Sequence, residues 1–229
     1  MPGYLHCCET SHGNPGMRNL YYIAIEGAIG VGKTSLANLM SKELGARLVL
    51  EEFEENPFLP DFYKDPERYA FQTQLFFLLQ RYRQQQELRQ VDMFQNLLVT
   101  DYMFVKDRLF ASLNLNEKEM QLYDTVANLL VRNIIKPDLV IYLQADTDTL
   151  IKNIAARGRE MEQEITWDYI DALNQVYTEY FFRYQETPLV IINTSNIDFV
   201  HNENDLKEVI NYIRQPISGT KFYNPVSEL

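Results

Sequence analysis

The chain is short of cysteine, glycine, proline, long apolar runs and positive charge, and each shortage closes off a class of function. Of 229 residues only two are cysteine, Cys7 and Cys8. Adjacent cysteines cannot supply a CxxC pair for zinc or redox chemistry, and no disulfide framework can be built, so a reducing cytoplasm is the expected compartment. The first twenty residues carry one arginine and no apolar core of the kind a leader needs. They read as a flexible tail, residues 1–20. No run reaches the roughly 18 apolar residues of a membrane-spanning helix, so no membrane association is expected. Against 32 acidic residues stand only 21 basic ones, a net charge of -11. Such a surface repels phosphate backbones and argues against nucleic acid as a partner. An anionic ligand would need a local positive pocket. The three histidines, His6, His12 and His201, lie apart in polar surroundings, which supports neither a metal cluster nor imidazole acid–base chemistry.

What is present is apolar and regularly spaced. The 46% hydrophobic content is enough for one full core, with 9 Gly and 9 Pro leaving room for long elements. Apolar runs of strand length occur at 21–26, 47–51, 97–101, 138–143 and 188–192. Segments with helical spacing occur at 34–44, 66–90, 117–135, 147–157 and 167–184. The alternation predicts an α/β domain over 21–214, a five-stranded parallel sheet with helices on both faces, followed by a C-terminal tail at 215–229. Ligands of such sheets bind beyond the carboxyl ends of the strands. There the stretch LVLEEFEENPFLPDFY (48–63) crowds four carboxylates, Glu51, Glu52, Glu54 and Glu55.

Residues 27–34 read GAIGVGKT between a predicted strand and a predicted helix, the context in which G-x-x-x-x-G-K-[ST] forms a phosphate-binding loop. The backbone of Gly27, Ala28, Ile29, Gly30, Val31 and Gly32, with Ser35 opening the helix, is expected to wrap the phosphates of ATP or GTP. Lys33 would reach the outer phosphates and the Thr34 hydroxyl would hold Mg²⁺. No lysine follows an asparagine, so the N-K-x-D guanine reader is missing and a GTPase is not expected.

From Gly27 onward the motifs resemble the deoxynucleoside kinase family, above all the bacterial deoxyadenosine and deoxyguanosine kinases. GAIGVGKT, EEFEENPFL, FYKDPERYAFQTQ, DYMFVKDRLFA, RGREMEQEI and NTSNIDF follow the family's order over roughly residues 20 to 213. The resemblance implies a P-loop kinase fold with an arginine-bearing lid. It also implies ATP-dependent phosphorylation of a deoxynucleoside 5′-hydroxyl for nucleotide salvage, with deoxyadenosine or deoxyguanosine favoured and deoxycytidine possible. A homodimer built on a helix bundle, supplied by residues 66–90 and 117–135, is implied as well. Glu51 matches the carboxylate that takes the hydroxyl proton, with Glu52 as its substitute if the strand ends one residue later. Glu54 and Glu55 are expected to be solvated or to sit near a helix N-terminus.

The same resemblance gives Tyr63 the sugar 3′-hydroxyl and Gln72 the base edge. On a helix Gln72, Phe76 and Leu79 would share one face, and an amide offers both donor and acceptor to a base. Phe76, Phe77, Leu78 and Tyr82 read as core or subunit interface. Asp101 matches the acid that helps hold Mg²⁺, Asp107 a base-side aspartate, Phe110 the ring that stacks on the base, and Glu162 a lid acid at the 3′-hydroxyl. Phe110 as plain core is the alternative. Arg157 and Arg159 flank a glycine after a helical stretch, where two planar cations can fold over a transferring phosphate. Asp198 and Phe199 match a loop at the adenine of ATP. Trp167 reads as packing.

Two positions depart from the family. Tyr102 stands where relatives carry an arginine that reaches the 5′ end of the substrate, a role left to Arg108, to a lid arginine or to no residue. Leu79 stands where some relatives carry an arginine acting with the base-side aspartate. A nucleoside monophosphate kinase and a nucleotide-sensing module without turnover are the rival readings. The first would need extra arginines at the acceptor site, where this chain offers a carboxylate.

Overall fold

The computed structural model describes residues 20–90, 97–131, 134–195, 197, 199 and 202–224. In chain order the elements are β1 Tyr22–Glu26, α1 Lys33–Leu44, β2 Arg47–Val49, α2 Leu59–Lys64, α3 Pro66–Gln90, β3 Leu98–Thr100, α4 Lys106–Asn114 and α5 Glu117–Leu130. They continue with β4 Leu139–Gln144, α6 Thr147–Arg157, α7 Trp167–Phe182, β5 Leu189–Asn193, α8 Glu203–Ile213 and β6 Thr220–Tyr223. Short 3-10 turns follow β2 at Phe53–Glu55 and α6 at Glu160–Glu162.

All strand pairs are parallel, in the order β2-β3-β1-β4-β5-β6. The sheet therefore has six strands, not the five expected. The sixth comes from the segment read as a C-terminal tail. Thr220–Tyr223 pairs along β5 with its side chains largely exposed, so it carries no apolar run to announce it. What places it is the edge of β5, whose backbone groups need partners.

The central strands YIAIE, LVIYLQ and LVIIN are buried on both faces, as helix-covered parallel strands must be. Ile23, Ile25, Ile141, Leu143, Val190 and Ile192 meet Leu36 and Met40 of α1, Leu150 of α6 and Val209 and Ile210 of α8. On the opposite face Tyr22, Ala24, Val140, Tyr142 and Ile191 meet Leu109 of α4 and Leu173, Tyr177 and Phe181 of α7. Each such Leu, Ile or Phe contributes roughly 1.5–3 kcal/mol by leaving water. No helix among the described residues is long and apolar enough to cross a membrane.

The connection leaving β1 runs to the β2 side of the sheet, and the one leaving β3 returns across to β4. The loops after β1 and β3 diverge, which opens a crevice at the carboxyl ends of these two neighbouring strands.

Candidate active site

A cavity of about 490 Å³ occupies that crevice, a size suited to a small-molecule ligand. Its floor is the loop after β1. Gly27, Gly30 and Gly32 have φ of 152°, 87° and 97°, values that side-chain-bearing residues rarely adopt. A Cβ on Gly27 or Gly30 would lie 2.6 Å from the carbonyl oxygen of Leu143 or Leu150, so the loop is also packed too closely for any other residue. Ile29, Gly30, Lys33 and Thr34 line the cavity. Lys33 Nζ donates to the carbonyls of Gly27 (2.6 Å) and Ala28 (2.8 Å), folding the lysine over its own loop. Burial and the nearby Lys106 lower it to about 7, against the pull of Glu26 and Asp101.

Asp101, just past the end of β3, ties two parts of the site together. Its Oδ2 accepts from Thr34 Oγ1 at 2.6 Å and its Oδ1 accepts from the Glu51 backbone N–H at 2.8 Å. The oxygen pair expected to hold Mg²⁺ is thus assembled, and hard oxygen donors of this kind suit that ion, which takes one or two carboxylates together with phosphate oxygens.

Glu51 follows β2 by two residues and is the one carboxylate of its cluster drawn inward. Its Oε1 is ion-paired with Arg81 Nη2 and its Oε2 with Lys106 Nζ. Glu52, Glu54 and Glu55 are exposed at the cavity rim. Glu55 Oε2 accepts from Gln80 Nε2 at 3.1 Å. The crowding of acids is therefore one half-buried, ion-paired carboxylate with solvated neighbours.

On α3 the face turned to the cavity is Gln74, Phe77 and Arg81, spaced one and two helical turns apart. Gln72, expected at the base edge, is exposed and does not line the cavity; the glutamine of α3 that does is Gln74. Gln74 is 2% exposed, and its Oε1 has no protein partner among the described residues. Likewise the arginine not found at Leu79 is present as Arg81, which is ion-paired with Asp107 Oδ1 as well as with Glu51. Leu79 is exposed.

Asp107 and Phe110 of α4 line the cavity, and Phe110 packs edge-on against Tyr177 with ring centroids 6.3 Å apart. Tyr63 at the end of α2 lines it too, its phenol driven well above the ordinary value by burial. The cavity is roofed by the segment after α6. Arg157 forms a two-pronged pair with Glu162 (2.6 and 2.7 Å from Nη2, 3.1 Å from Nε), and Arg159 Nη1 reaches the same carboxylate at 3.3 Å. The Arg159 guanidinium lies 4.2 Å from the centroid of the Phe53 ring. Gly158, at φ 65°, ends α6 and turns the chain into this roof.

Asp198 falls outside the described residues. Phe199 belongs to the hydrophobic core and packs against Gly32 without lining the cavity. Sequence reasoning also missed Lys106 and Glu26. Glu26 ends β1 fully buried, accepting from the backbone N–H groups of Met103 (2.6 Å) and Gly27 (3.2 Å). Burial pushes its carboxyl up, with Lys106 and Lys33 acting against that. Its signal was the one acid closing an otherwise apolar strand. Trp167 is half-exposed and donates to Asp148 Oδ1 at 2.8 Å, away from the site.

A glycine loop for phosphates, an acid–hydroxyl pair beside it, a half-buried carboxylate facing it and two arginines overhead define a P-loop phosphotransferase. The sequence model of the deoxynucleoside kinase family matches residues 23–218, and the chain belongs to that family. It is 31% identical over 206 residues to a deoxyguanosine kinase of Bacillus subtilis (strain 168), covering 88% of this chain and 100% of that protein. It is 32% identical to a deoxyadenosine kinase of Lactobacillus acidophilus, covering 85% of this chain and 95% of that one. Among solved structures, deoxyadenosine kinase from M. mycoides with bound dATP superposes with a TM-score of 0.74 at 27% identity, covering 85% of this chain and 100% of that chain. The same enzyme with bound dCTP gives 0.72 at 28%, covering 84% and 98%.

Proposed function

We propose that this deoxynucleoside kinase transfers the γ-phosphoryl group of Mg-ATP to the 5′-hydroxyl of a purine deoxynucleoside, deoxyadenosine or deoxyguanosine, with deoxycytidine as a secondary substrate. The observation that carries the reading is the position of Glu51, a carboxylate gripped by Arg81 and Lys106 while Asp101 joins its backbone to Thr34 of the phosphate loop. A base for the acceptor hydroxyl and a cradle for the donor phosphates are thereby held by one aspartate.

A hydroxyl is a poor nucleophile until its proton is withdrawn during attack. Glu51 accepts that proton as the O5′–P bond forms, and the bond from phosphorus to the β,γ-bridging oxygen breaks to release ADP. Lys33 and the loop N–H groups hold the donor phosphates. Arg157 and Arg159 neutralise charge on the transferring group and close the roof against water, the competing acceptor. Thr34 and Asp101 would hold Mg²⁺, which neutralises phosphate charge when bound.

In this reading Tyr63 and Glu162 bind the sugar 3′-hydroxyl, Phe110 stacks on the base, and Gln74 with Asp107 reads its edge, which is supported by all five lining the one cavity. The names of the relatives and the bound dATP and dCTP of the M. mycoides enzyme support a purine preference with access for cytosine. The exposed Leu79, Leu122 and Leu129 on α3 and α5 support a homodimer through these helices. A cytoplasmic salvage role accords with the cysteine usage.

The test is product analysis with ATP and each of deoxyadenosine, deoxyguanosine, deoxycytidine, thymidine and their monophosphates. Turnover of nucleosides but not monophosphates is expected, and turnover of monophosphates alone would overturn the reading. Glu51→Gln should lower kcat by about 10²-fold or more while ATP still binds.

A further inference from the structure

Position 102, where the family's arginine would reach the substrate 5′ end, delivers no charge to the site. The Tyr102 side chain is fully buried outside the cavity, its ring 5.7 Å from the Arg81 guanidinium carbon. Arg108 does not compensate. Its side chain is 61% exposed and bonded to Asp124 of α5 at 3.0 Å. Both lid arginines are engaged by Glu162, and Arg81 is shared between Glu51 and Asp107.

Apart from Lys33, which is folded over the phosphate loop, one other cation among the described residues lines the cavity. Lys106, the first residue of α4 and four residues past Tyr102, is 6% exposed, with Nζ on Glu51 Oε2 and 5.7 Å from the centroid of the Phe110 ring. A hydroxyl that gives its proton to Glu51 must approach that carboxylate to within about 2.6–3.2 Å, which brings its oxygen within reach of the same ammonium. An ammonium has three donors. One is spent on Glu51, which leaves two for the 5′-oxygen and for an oxygen of the phosphoryl group arriving at it.

We infer that Lys106 is a catalytic residue, the cation that this chain uses at the acceptor in place of the family's arginine. It holds Glu51 in line with the 5′-hydroxyl and stabilises negative charge gathering between O5′ and phosphorus. It keeps its proton throughout, since Glu51 takes the one released. The charged groups around it are Glu51, Glu26 and Asp101 on one side of the balance and Arg81, Arg157 and Lys33 on the other. Burial, then Arg81, lowers it to about 8. The inference rests on the assignment of Glu51 as the base.

The experiment compares Lys106→Met and Lys106→Arg, measuring kcat and KM for the deoxynucleoside, ATP binding and Tm. Glu51→Gln is run alongside. Lys106→Met is expected to lower kcat by about 10²–10³-fold, the usual cost of one donor to developing charge, with KM and ATP binding little changed. Lys106→Arg should recover at least about tenfold of that loss, and its kcat should persist to higher pH than the wild type's because arginine stays charged.

The inference is overturned if Lys106→Met keeps kcat within about threefold, or if activity falls only in step with Tm and Lys106→Arg restores neither. Either result makes the lysine a counter-ion of the buried acids. Should Lys106→Met not fold, Lys106→Arg decides alone: an alkaline limb of kcat moved upward supports the assignment, and an unmoved limb refutes it. Loss in Lys106→Met with full activity in Glu51→Gln would discard the base and leave the lysine standing. The opposite pattern would discard the lysine alone.

Discussion

Arg81 of α3 and Asp107 of α4 form an ion pair whose side chains are only 4% and 1% exposed, and the same guanidinium holds Glu51. Asp107 therefore bears on both the stability of the fold and the setting of Glu51. Removing one member of a buried pair leaves the other charge desolvated, so Asp107→Ala is expected to cost about 3–5 kcal/mol in denaturant unfolding. Asp107→Asn, which keeps a hydrogen-bond acceptor for Arg81, should cost less. Equal stability of all three proteins would mean that water reaches the pair.

Gln74 and Gln72 make opposite predictions. Gln74→Ala removes a buried amide aimed into the cavity and should lower kcat/KM for the deoxynucleoside by about 10–100-fold, the equivalent of losing a buried hydrogen-bonding partner. Gln72→Ala, on the exposed side of α3, should stay within about twofold of wild type. Steady-state kinetics on both variants checks the two-residue shift directly, and the reverse ranking would restore Gln72.

Asp101 joins Thr34 to the backbone of Glu51, so under the proposed roles its loss should affect both Mg²⁺ dependence and proton transfer to Glu51. Asp101→Ala is expected to raise the Mg²⁺ concentration giving half-maximal rate by about 10–100-fold and to lower kcat even at saturating metal. A Mg²⁺ titration of activity separates the two effects. Normal metal dependence in this variant would remove Asp101 from the binding set.

The buried tyrosines predict loss of stability in alkali. Burial pushes Tyr22 and Tyr169 up to about 12, from an ordinary value of 10.0. Between these values the unfolded chain has released phenolic protons that the native chain retains. The native state then binds more protons, and stability falls as pH rises. The thermal midpoint should decline as pH is raised above about 10, with tyrosinate absorbance appearing together with unfolding. Tyrosinate appearing well before unfolding would show these phenols to be accessible in the native state.

The phosphate loop was legible because its chemistry is local: eight consecutive residues whose glycines are demanded by their own backbone angles. The central strands were legible because burial on both faces leaves an uninterrupted apolar run. Glu51 could be found because it follows a short apolar run, Leu48 to Leu50, at the end of the edge strand β2. β6 could not, since an edge strand needs only a neighbour's backbone and shows no apolar pattern of its own.

By itself the sequence determined the α/β alternation, the nucleotide loop and the acids at the ends of β2 and β3. Which helical residues enter the site was decided by tertiary packing. Gln72 and Gln74 differ by two positions, as do Lys106 and Arg108, and two residues are about 200° apart around a helix. One member of each pair is buried at the cavity and the other is exposed. In FQTQLFF both rows mix polar and apolar residues, and around α4 both cations are long enough to be buried or solvated. Only the packing of α3 and α4 against the sheet and each other sets the rotation of each helix, and that rotation selects the side chain that meets the substrate.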